Sequence, residues 1–582
     1  MTEQSSRQKV FLSGNEAVAR GAYEAGVAVG TAYPGTPSSE ISPALAMYPG
    51  VNVEWSVNEK VALEVACGAC FCGARTLVAM KHVGVNVASD PLLTLSLIGV
   101  RGGLVLISAD DPGMHSSQNE QDNRIYARFA KIPMLEPSDS QESKDFTKLA
   151  FTLSEQFDTP VMVRMTTRVC HAKTIVEIEE PEKIEREYSF EKDTQKFVMI
   201  PAYARKRHVI VEARLKKLEN FSEDTTLNRI EQGADNSLGI ICSGIVYQYV
   251  KEMFPSASVL KLGFSYPLCK NKIRSFCQSH KKVYVIEELE PLLYNDIKAM
   301  GLNVKGKTDK LVTGELTPNR VREIITGESS DIVPSAPGRP PVMCAGCIHR
   351  GAFVTLKKLK MIVTGDIGCY TLGTLPPLSA LDTCVCMGAS IGAMLGMTKV
   401  LSKEQRNKVV AVIGDSTFFH SGITGLIDVV YNKGAGTVMI LDNRTTAMTG
   451  QQDHPGTGMT IMSEPTESIL PEKIAEAVGV KMIKVIDPYD IPAIEDALRE
   501  SMNTDEVSLI VLRRVCVLKD KTVKRLVAQV EPSLCVQCKQ CLTIGCPAIS
   551  SDMPPKIDMH LCNGCGLCVH VCKVGAITCK ER

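Results

Sequence analysis

VVAVIGDSTFFHSGITGLIDVVYNKGAGTVMILDN, residues 409–443, decides the architecture. Residues 409–413 form a short apolar, β-branched run, the pattern of a parallel strand covered on both faces. Gly414, Asp415 and Ser416 read as a turn and residues 421–431 as an amphipathic helix. Gly434 and Gly436 end that helix, and residues 437–441 read as the next strand. This crossover puts Asp415 and Asn443 at the carboxyl ends of two parallel strands, the edge where open α/β sheets bind ligands. A carboxylate and an amide oxygen held there suit a hard cation such as Mg²⁺, with diphosphate oxygens completing its shell. The helix start after Asp415 offers backbone N–H groups to the phosphates.

The 582 residues exceed what one core usually supports, so several domains are expected. With 44% hydrophobic and 22% charged residues the chain is an ordinary folded protein. Sixty-five basic residues balance sixty-five acidic ones, which removes any bulk attraction to nucleic acid or membrane. The start of the chain lacks a signal-peptide layout, and residues 385–397, the most apolar stretch, read as a buried Gly/Ala-rich helix. A soluble cytoplasmic protein is expected. Residues 8–180 read as an α/β domain with strands at 76–80 and 104–108. Residues 185–235 are charged and weakly patterned, a linker or irregular insertion. LGIICSG, VLKLGFSYPL and KKVYVIEE then suggest a small α/β domain ending near Glu290, and GESSDIVPSAPGRPP (327–341) is a clear boundary.

Twenty-two cysteines in such a chain do not suggest disulfides. CVQCKQCLTIGCP from Cys535 is C-x2-C-x2-C-x4-C-P, and CNGCGLCVHVC from Cys562 is C-x2-C-x2-C-x3-C. Two such runs make the pattern of a two-cluster ferredoxin, in which each run gives three thiolates to one [4Fe–4S] cube and its fourth to the other. Cys535, Cys538, Cys541 and Cys572 would hold one cluster, and Cys562, Cys565, Cys568 and Cys546 the other. Zinc sites favour pairs with longer loops, so they fit less well. The first run departs from the pattern by one extra residue before Cys546. Side-by-side clusters mean electron transfer, serving chemistry elsewhere in the chain.

Residues 409–443 resemble the thiamine-diphosphate fingerprint, a Gly-Asp-Gly followed by Asn-Asn, with Ser416 and Asp442 as the departures. The resemblance implies that Gly414, Asp415, Ser416, Asn443 and Thr445 bind the cofactor, and that Asp415, Asn443 and the Thr445 carbonyl hold Mg²⁺. AYPGTPSSE (32–40) and VNEKVALEVACGA (57–69) resemble segments of the 2-oxoacid:ferredoxin oxidoreductase superfamily. That resemblance makes Thr36 a ligand of the substrate carboxylate and Glu59 the catalytic carboxylate. On the residues alone Asn58 is simply a helix cap, and Glu64 competes equally with Glu59. In DDPGMHSSQNEQDNR (110–124), a solvated loop or an active-site wall, the resemblance puts His115 near the substrate. PVMCAGCIHRG (341–351), GDIGCY (365–370) and RRVC (513–516) are similar to segments that hold a third cluster. Its ligands here would be Cys344, Cys347, Cys369 and Cys516, with Cys384 and Cys386 as rivals and cysteines packed without metal as the plain alternative.

The order of parts is similar to the alpha subunit of the superfamily's indolepyruvate branch. It implies a pyrimidine-side thiamine domain (1–184), a linker and middle α/β domain (185–330), a diphosphate-side domain (331–524) and a ferredoxin-type tail (525–582). The expected fold is thus α/β, doubly wound, with a small two-cluster appendage. The implied activity is oxidative decarboxylation of aryl 2-oxo acids to aryl-acetyl-coenzyme A and CO₂. Thiamine diphosphate, Mg²⁺ and [4Fe–4S] clusters would be the cofactors, an external ferredoxin the electron acceptor, and a smaller beta subunit the partner. Alternatives are pyruvate, branched-chain 2-oxo acids or phenylglyoxylate as substrate. A non-redox thiamine decarboxylase or synthase is a different class, against which the tail argues: such enzymes export no electrons. A pure electron carrier would need a dead thiamine site.

Overall fold

The computed structural model describes residues 8–182, 187–307, 311–328, 341–522 and 526–581. The chain divides into two compact units, Met1–Ser335 and Ala336–Arg582. Most of the expected 327–341 boundary lies outside the described residues.

The first unit is built on a seven-stranded sheet. Its order is Phe264–Tyr266, Met134–Leu135, Val161–Thr166, Leu104–Asp110, Thr76–Lys81, Val29–Ala32, Asn52–Trp55. All neighbours run parallel except the first pair. Its central strands are buried along their whole length, which explains apolar stretches such as residues 104–107 and 161–163, with the polar residues Asp110 and Arg164 paired to each other inside. A second sheet, Lys282–Ile286, Asp235–Cys242, Ala257–Leu262 and Asn228–Glu231, is parallel up to its antiparallel last strand. Phe264–Tyr266 lies in sequence between two strands of that sheet, Ala257–Leu262 and Lys282–Ile286, yet forms the edge of the larger one, so the two are stitched together.

Residues 185–235 differ from expectation. They contain a 24-residue helix, Pro201–Asp224, and the strand Asn228–Glu231. The helix hides from a hydrophobicity reading because its inward face carries arginines. Arg207 donates to the carbonyls of Leu97 and Ile98, both at 2.8 Å, and Arg214 to those of Ser96 and Asp158, both at 2.6 Å. Their alkyl stems pack while the guanidinium groups satisfy carbonyls at the end of the helix Ser89–Ile98.

The second unit holds a six-stranded, wholly parallel sheet. Its order is Thr383–Cys384, Ile362–Gly365, Val409–Gly414, Gly436–Asp442, Val507–Arg513, Met482–Ile486. The antiparallel pair Leu526–Val530 and Ile577–Glu581 closes the tail. The doubly wound α/β reading holds. One local detail does not: the expected turn at 414–416 is already helical. The helix starts at Asp415, passes through a π turn at Phe418–Gly422 and continues as Ile423–Tyr431. Asp415 favours that start by accepting the orphan N–H of Ser416 at 2.9 Å.

A buried ion network links the two sheets of the first unit. Arg124, fully buried, lies between Asp122 (2.5 Å) and Glu287 (2.7 Å), and Arg164 between Asp110 (2.7 Å) and Glu136 (2.5 Å). Glu288 beside it has no cation within ion-pair distance among the described residues and accepts only the Leu316 N–H, at 3.2 Å. Burial pushes its carboxyl up to about 7, against the Leu316 N–H and Lys307. An acid raised in this way holds its proton more tightly when folded. Its contribution to stability is therefore complete below the unfolded value, about 4.3, and is lost as pH rises toward 7. Urea unfolding at pH 5 and pH 7 should show stability falling by up to about 1.4 kcal/mol per pH unit from this group. Glu288→Gln should flatten that part of the slope; equal slopes in both proteins would refute the assignment.

Candidate active site

Asp415 ends a strand that is buried from Val409 to Gly414, and the side chain itself is buried. Besides Ser416 it receives the Arg444 N–H at 2.8 Å and faces His454 Nε2 at 3.1 Å. Burial pushes this carboxyl up, but the His454 charge and these hydrogen bonds outweigh it and hold it below the usual carboxylate range. Asp442, at the end of the adjacent strand, goes the other way: burial and the Asp415 charge raise it, although Arg513 donates to it at 2.6 Å. Two neighbouring carboxyls are thus driven apart, Asp415 downward and Asp442 upward.

Asn443 follows Asp442, and its Oδ1 accepts the Thr445 N–H at 3.1 Å. Arg444 between them has φ +58°, a left-handed turn in a non-glycine residue. That turn points the Arg444 N–H at Asp415 and brings the 443–445 loop back over the strand ends. Thr446 Oγ1 donates to Ser416 Oγ at 2.9 Å, closing the loop. The sequence-predicted set Gly414, Asp415, Ser416, Asn443 and Thr445 is therefore contiguous. Its donors are hard oxygens, the chemistry that Mg²⁺ and a diphosphate require. His349 is buried nearby, burial lowers its ring to about 4, and its Nδ1 has no hydrogen-bond partner among the described residues. The residues present fit the expected group.

The GDIGC turn stands on Asp366, a buried carboxylate that accepts N–H groups from Ile367 (3.0 Å), Gly388 (2.8 Å) and Ser390 (3.1 Å). Cys369 starts the next turn. Burial pushes its thiol up to about 11, reinforced by the charges of Cys516 and Cys344. Cys347 is raised to about 12 by burial and by Cys344 and Cys369. Cys344, Cys347 and Cys369 therefore lie within electrostatic reach of one another, and Cys516 within reach of Cys369. Cys384 and Cys386 instead are exposed and act on each other and on Asp366. The Cys516 N–H donates to the Asn443 carbonyl at 2.9 Å, so one cysteine of the set is tied directly to the oxygen site.

In the tail, one small cavity is lined by Cys535, Cys538, Cys541 and Cys572. Another is lined by Cys546, Cys562, Cys565 and Cys568. Each sequence-derived foursome thus lines a space of its own. Cys538 is exposed at the first cavity, with Val536 63% exposed beside it. Cys579 lies near the second set as a fifth thiol, adding to the rise of Cys565 and Cys568. Among the described residues no three Cys, His, Asp or Glu groups converge on one metal ion. A four-iron cube spreads its thiolates wider than a mononuclear site does, and the oxygen site draws on an amide and a carbonyl.

In the first unit Glu59 begins the helix Glu59–Phe71, capped by Asn58 Oδ1 accepting the Val61 N–H at 2.9 Å. Glu59 is buried, whereas Glu64 is exposed and pairs with Lys60. Gly84 makes room for Glu59: a Cβ there would meet its Cγ and Oε1 at 2.7 Å. Thr36 precedes a cis proline, and its carbonyl accepts from Ser116 Oγ at 3.4 Å. His115, half exposed, faces Glu315 at 3.2 Å, and Arg168 grips the same carboxylate at 2.6 and 2.8 Å. Residues 110–124 are mixed, with an exposed middle and ends buried in the ion network. His454, Arg444, His349 and Arg350 were not singled out by sequence. Only the Asp-His-Pro-Gly stretch at 453–456 carried a hint, as a polar turn close behind the Asn443 loop.

Residues 366–512 match the C-terminal TPP-binding domain of thiamine pyrophosphate enzymes, and residues 555–578 a 4Fe-4S binding domain. Residues 20–232 match the thiamine-diphosphate-binding family of pyruvate flavodoxin/ferredoxin oxidoreductases. Together with the geometry, these define an iron–sulfur oxidoreductase dependent on thiamine diphosphate. The chain is 42% identical over 611 residues to indolepyruvate oxidoreductase subunit IorA of Archaeoglobus fulgidus, covering 98% of this chain and 97% of that one. It is 40% identical over 603 residues to the same subunit of Methanothermobacter thermautotrophicus, again covering 98% and 97%. The chain belongs to the IorA family of indolepyruvate oxidoreductase subunits. A solved 2-oxoglutarate:ferredoxin oxidoreductase from Magnetococcus marinus aligns at 18% identity and a TM-score of 0.44, covering 56% of this chain and 66% of that one. Among the described residues no helix is long and apolar enough to cross a membrane.

The gathering of Cys344, Cys347, Cys369 and Cys516 is tested by Cys369→Ala in anaerobically purified protein. Bound iron should fall by about four atoms per chain, one cube, with the tail's iron retained. Unchanged iron would show that these cysteines pack without metal.

Proposed function

We propose that this chain is the cofactor-bearing subunit of an enzyme that oxidatively decarboxylates aryl 2-oxo acids, of the indolepyruvate and phenylpyruvate type. The products are the aryl-acetyl-coenzyme A, CO₂ and two electrons passed singly through [4Fe–4S] clusters to an external ferredoxin. The observation that carries this reading is the 2.9 Å link from Cys516 to Asn443, which joins a four-cysteine set to the oxygen site. The aryl preference follows the name of the relatives. Three clusters are assigned: on Cys344/Cys347/Cys369/Cys516, on Cys546/Cys562/Cys565/Cys568, and on Cys535/Cys538/Cys541/Cys572. We divide the chain at 1–184, 185–330, 331–524 and 525–582, and assign it a smaller beta subunit as partner and a cytoplasmic location.

Thiamine diphosphate, when bound, supplies a nucleophilic carbon and an electron sink for the decarboxylation. The chain's own residues prepare for it. Asp415, held below the usual carboxylate range by its donors, would hold Mg²⁺ together with Asn443 Oδ1 and the Thr445 carbonyl. The N–H groups after Asp415 would serve the diphosphate. Glu59, buried and fixed at the first turn of a capped helix, would be the carboxylate that exchanges a proton with the aminopyrimidine. Thr36 would hydrogen-bond the substrate carboxylate and His115 would stand near the substrate, its ring positioned by the Glu315 carboxylate that Arg168 holds.

The test is anaerobic viologen reduction by the chain with its co-purified subunit, given thiamine diphosphate, Mg²⁺, coenzyme A and a panel of 2-oxo acids. The strongest reduction is expected with indolepyruvate or phenylpyruvate, dependent on coenzyme A. Preference for pyruvate or a branched acid would overturn the substrate assignment, and no reduction with any acid would overturn the redox reading. Glu59→Gln should keep the cluster absorbance and lower turnover by at least about a hundredfold. Near-wild-type turnover would move the role elsewhere.

A further inference from the structure

Arg350 is the second residue of the helix His349–Lys358 and is 2% exposed. Its guanidinium spans two loops of the second unit. Nε donates to the Cys344 carbonyl at 3.2 Å and Nη2 to that of Met343. Nη1 donates to the carbonyls of Ile544 and Gly545 at 2.8 and 2.7 Å. Four neutral acceptors satisfy its N–H groups, but none balances its charge. No carboxylate lies within ion-pair distance of it among the described residues. The ionisable groups that bear on it are the cysteines Cys347, Cys546, Cys344 and Cys565, two from each side, set against the burial of its own charge. A buried cation is retained only where an anion answers it. A cube with four thiolate ligands is such an anion, and two of the assigned sets flank this side chain.

The surroundings are shaped for the same contact. Arg350 lines the same cavity as Cys546, Cys562, Cys565 and Cys568. Gly545, the residue before Cys546, has φ +66°, and a Cβ there would come within 3.3 Å of Arg350 Nη1. The extra residue of the C-x4-C spacing therefore acquires a physical reason: it lets two successive carbonyls turn onto one guanidinium. The loops also interlock beside it. Asn563 fills the space that a side chain at Gly346 would need, and Tyr489 donates to the Gly346 carbonyl at 2.6 Å.

We infer that Arg350 is a positioning residue and shared counter-cation between the Cys344/Cys347/Cys369/Cys516 cluster and the Cys546/Cys562/Cys565/Cys568 cluster. This rests on the three-cluster reading above. Its fork of hydrogen bonds fixes the gap that an electron crosses. Its charge stabilises the reduced, more negative state of both neighbours and so raises both potentials. In the step itself one cluster loses one electron and the other gains it. Arg350 stays protonated throughout, so no proton moves.

The test uses the anaerobic holoenzyme with its partner subunit, in wild-type, Arg350→Gln and Arg350→Lys forms. Iron content comes first, because a wild-type protein holding iron for only two cubes would sink the three-cluster reading itself, whatever the variants do. With three cubes present, redox titration followed by electron paramagnetic resonance should show both flanking clusters shifted to more negative potential in Arg350→Gln. The outer cluster of Cys535, Cys538, Cys541 and Cys572 should not move. Arg350→Lys should restore the potentials, since it keeps the charge, yet slow stopped-flow transfer between the two clusters several-fold, since it lacks the fork. Unshifted potentials in a fully loaded Arg350→Gln overturn the inference. If Arg350→Gln loses its clusters, Arg350→Lys decides alone: wild-type transfer rates would overturn the positioning role.

Discussion

A carboxylate kept ionised at the end of a wholly buried strand is the constraint around which the second unit is arranged. Asp415 cannot be charged there without donors, and three separate stretches supply them: its own helix start, the left-handed Arg444, and His454. Each donor brings its segment along. The Arg444 turn carries Asn443 and Thr445 into place, and Asn443 in turn receives Cys516. Neighbouring Asp442 is left to Arg513 and stays the weaker acid of the pair. One desolvated charge thus dictates where the oxygen donors and one sulfur donor stand.

Much of this was legible in the sequence, for identifiable reasons. Fully buried parallel strands leave unbroken apolar runs, so residues 409–413 and 437–441 were readable almost to their ends. Cysteine spacing is a short-range constraint of the cluster itself, so the tail's foursomes emerged without knowledge of the fold. What stayed hidden has equally physical causes. The helix Pro201–Asp224 buries guanidinium groups, which any hydrophobic count reads as surface. Glu59 and Glu64 are alike in sequence, and only burial separates them. His454 and Arg350 act across 39 residues on Asp415 and 194 residues on Ile544, distances that local patterning cannot see.

Buried charge is handled in two ways, the first seen in the ion network of Arg124 and Arg164 and the second at Arg350. In the first, carboxylates and guanidinium groups neutralise one another, and Glu288 is left to hold its proton. In the second, Arg350 has only carbonyls and thiols around it. The first arrangement is complete as polypeptide alone. On the three-cluster proposal the second would be balanced by the clusters, which would couple folding of this region to the delivery of iron and sulfide.

The outermost cysteine foursome differs from the other two in standing at the surface, with Cys538 open to solvent. Such exposure shortens the tunnelling path to whatever protein takes the electrons away. It also admits dioxygen, which is small and itself an avid electron acceptor. A port cannot be open to one and closed to the other. A cluster seated on these four thiols would therefore meet dioxygen at the same rim where it meets its electron acceptor.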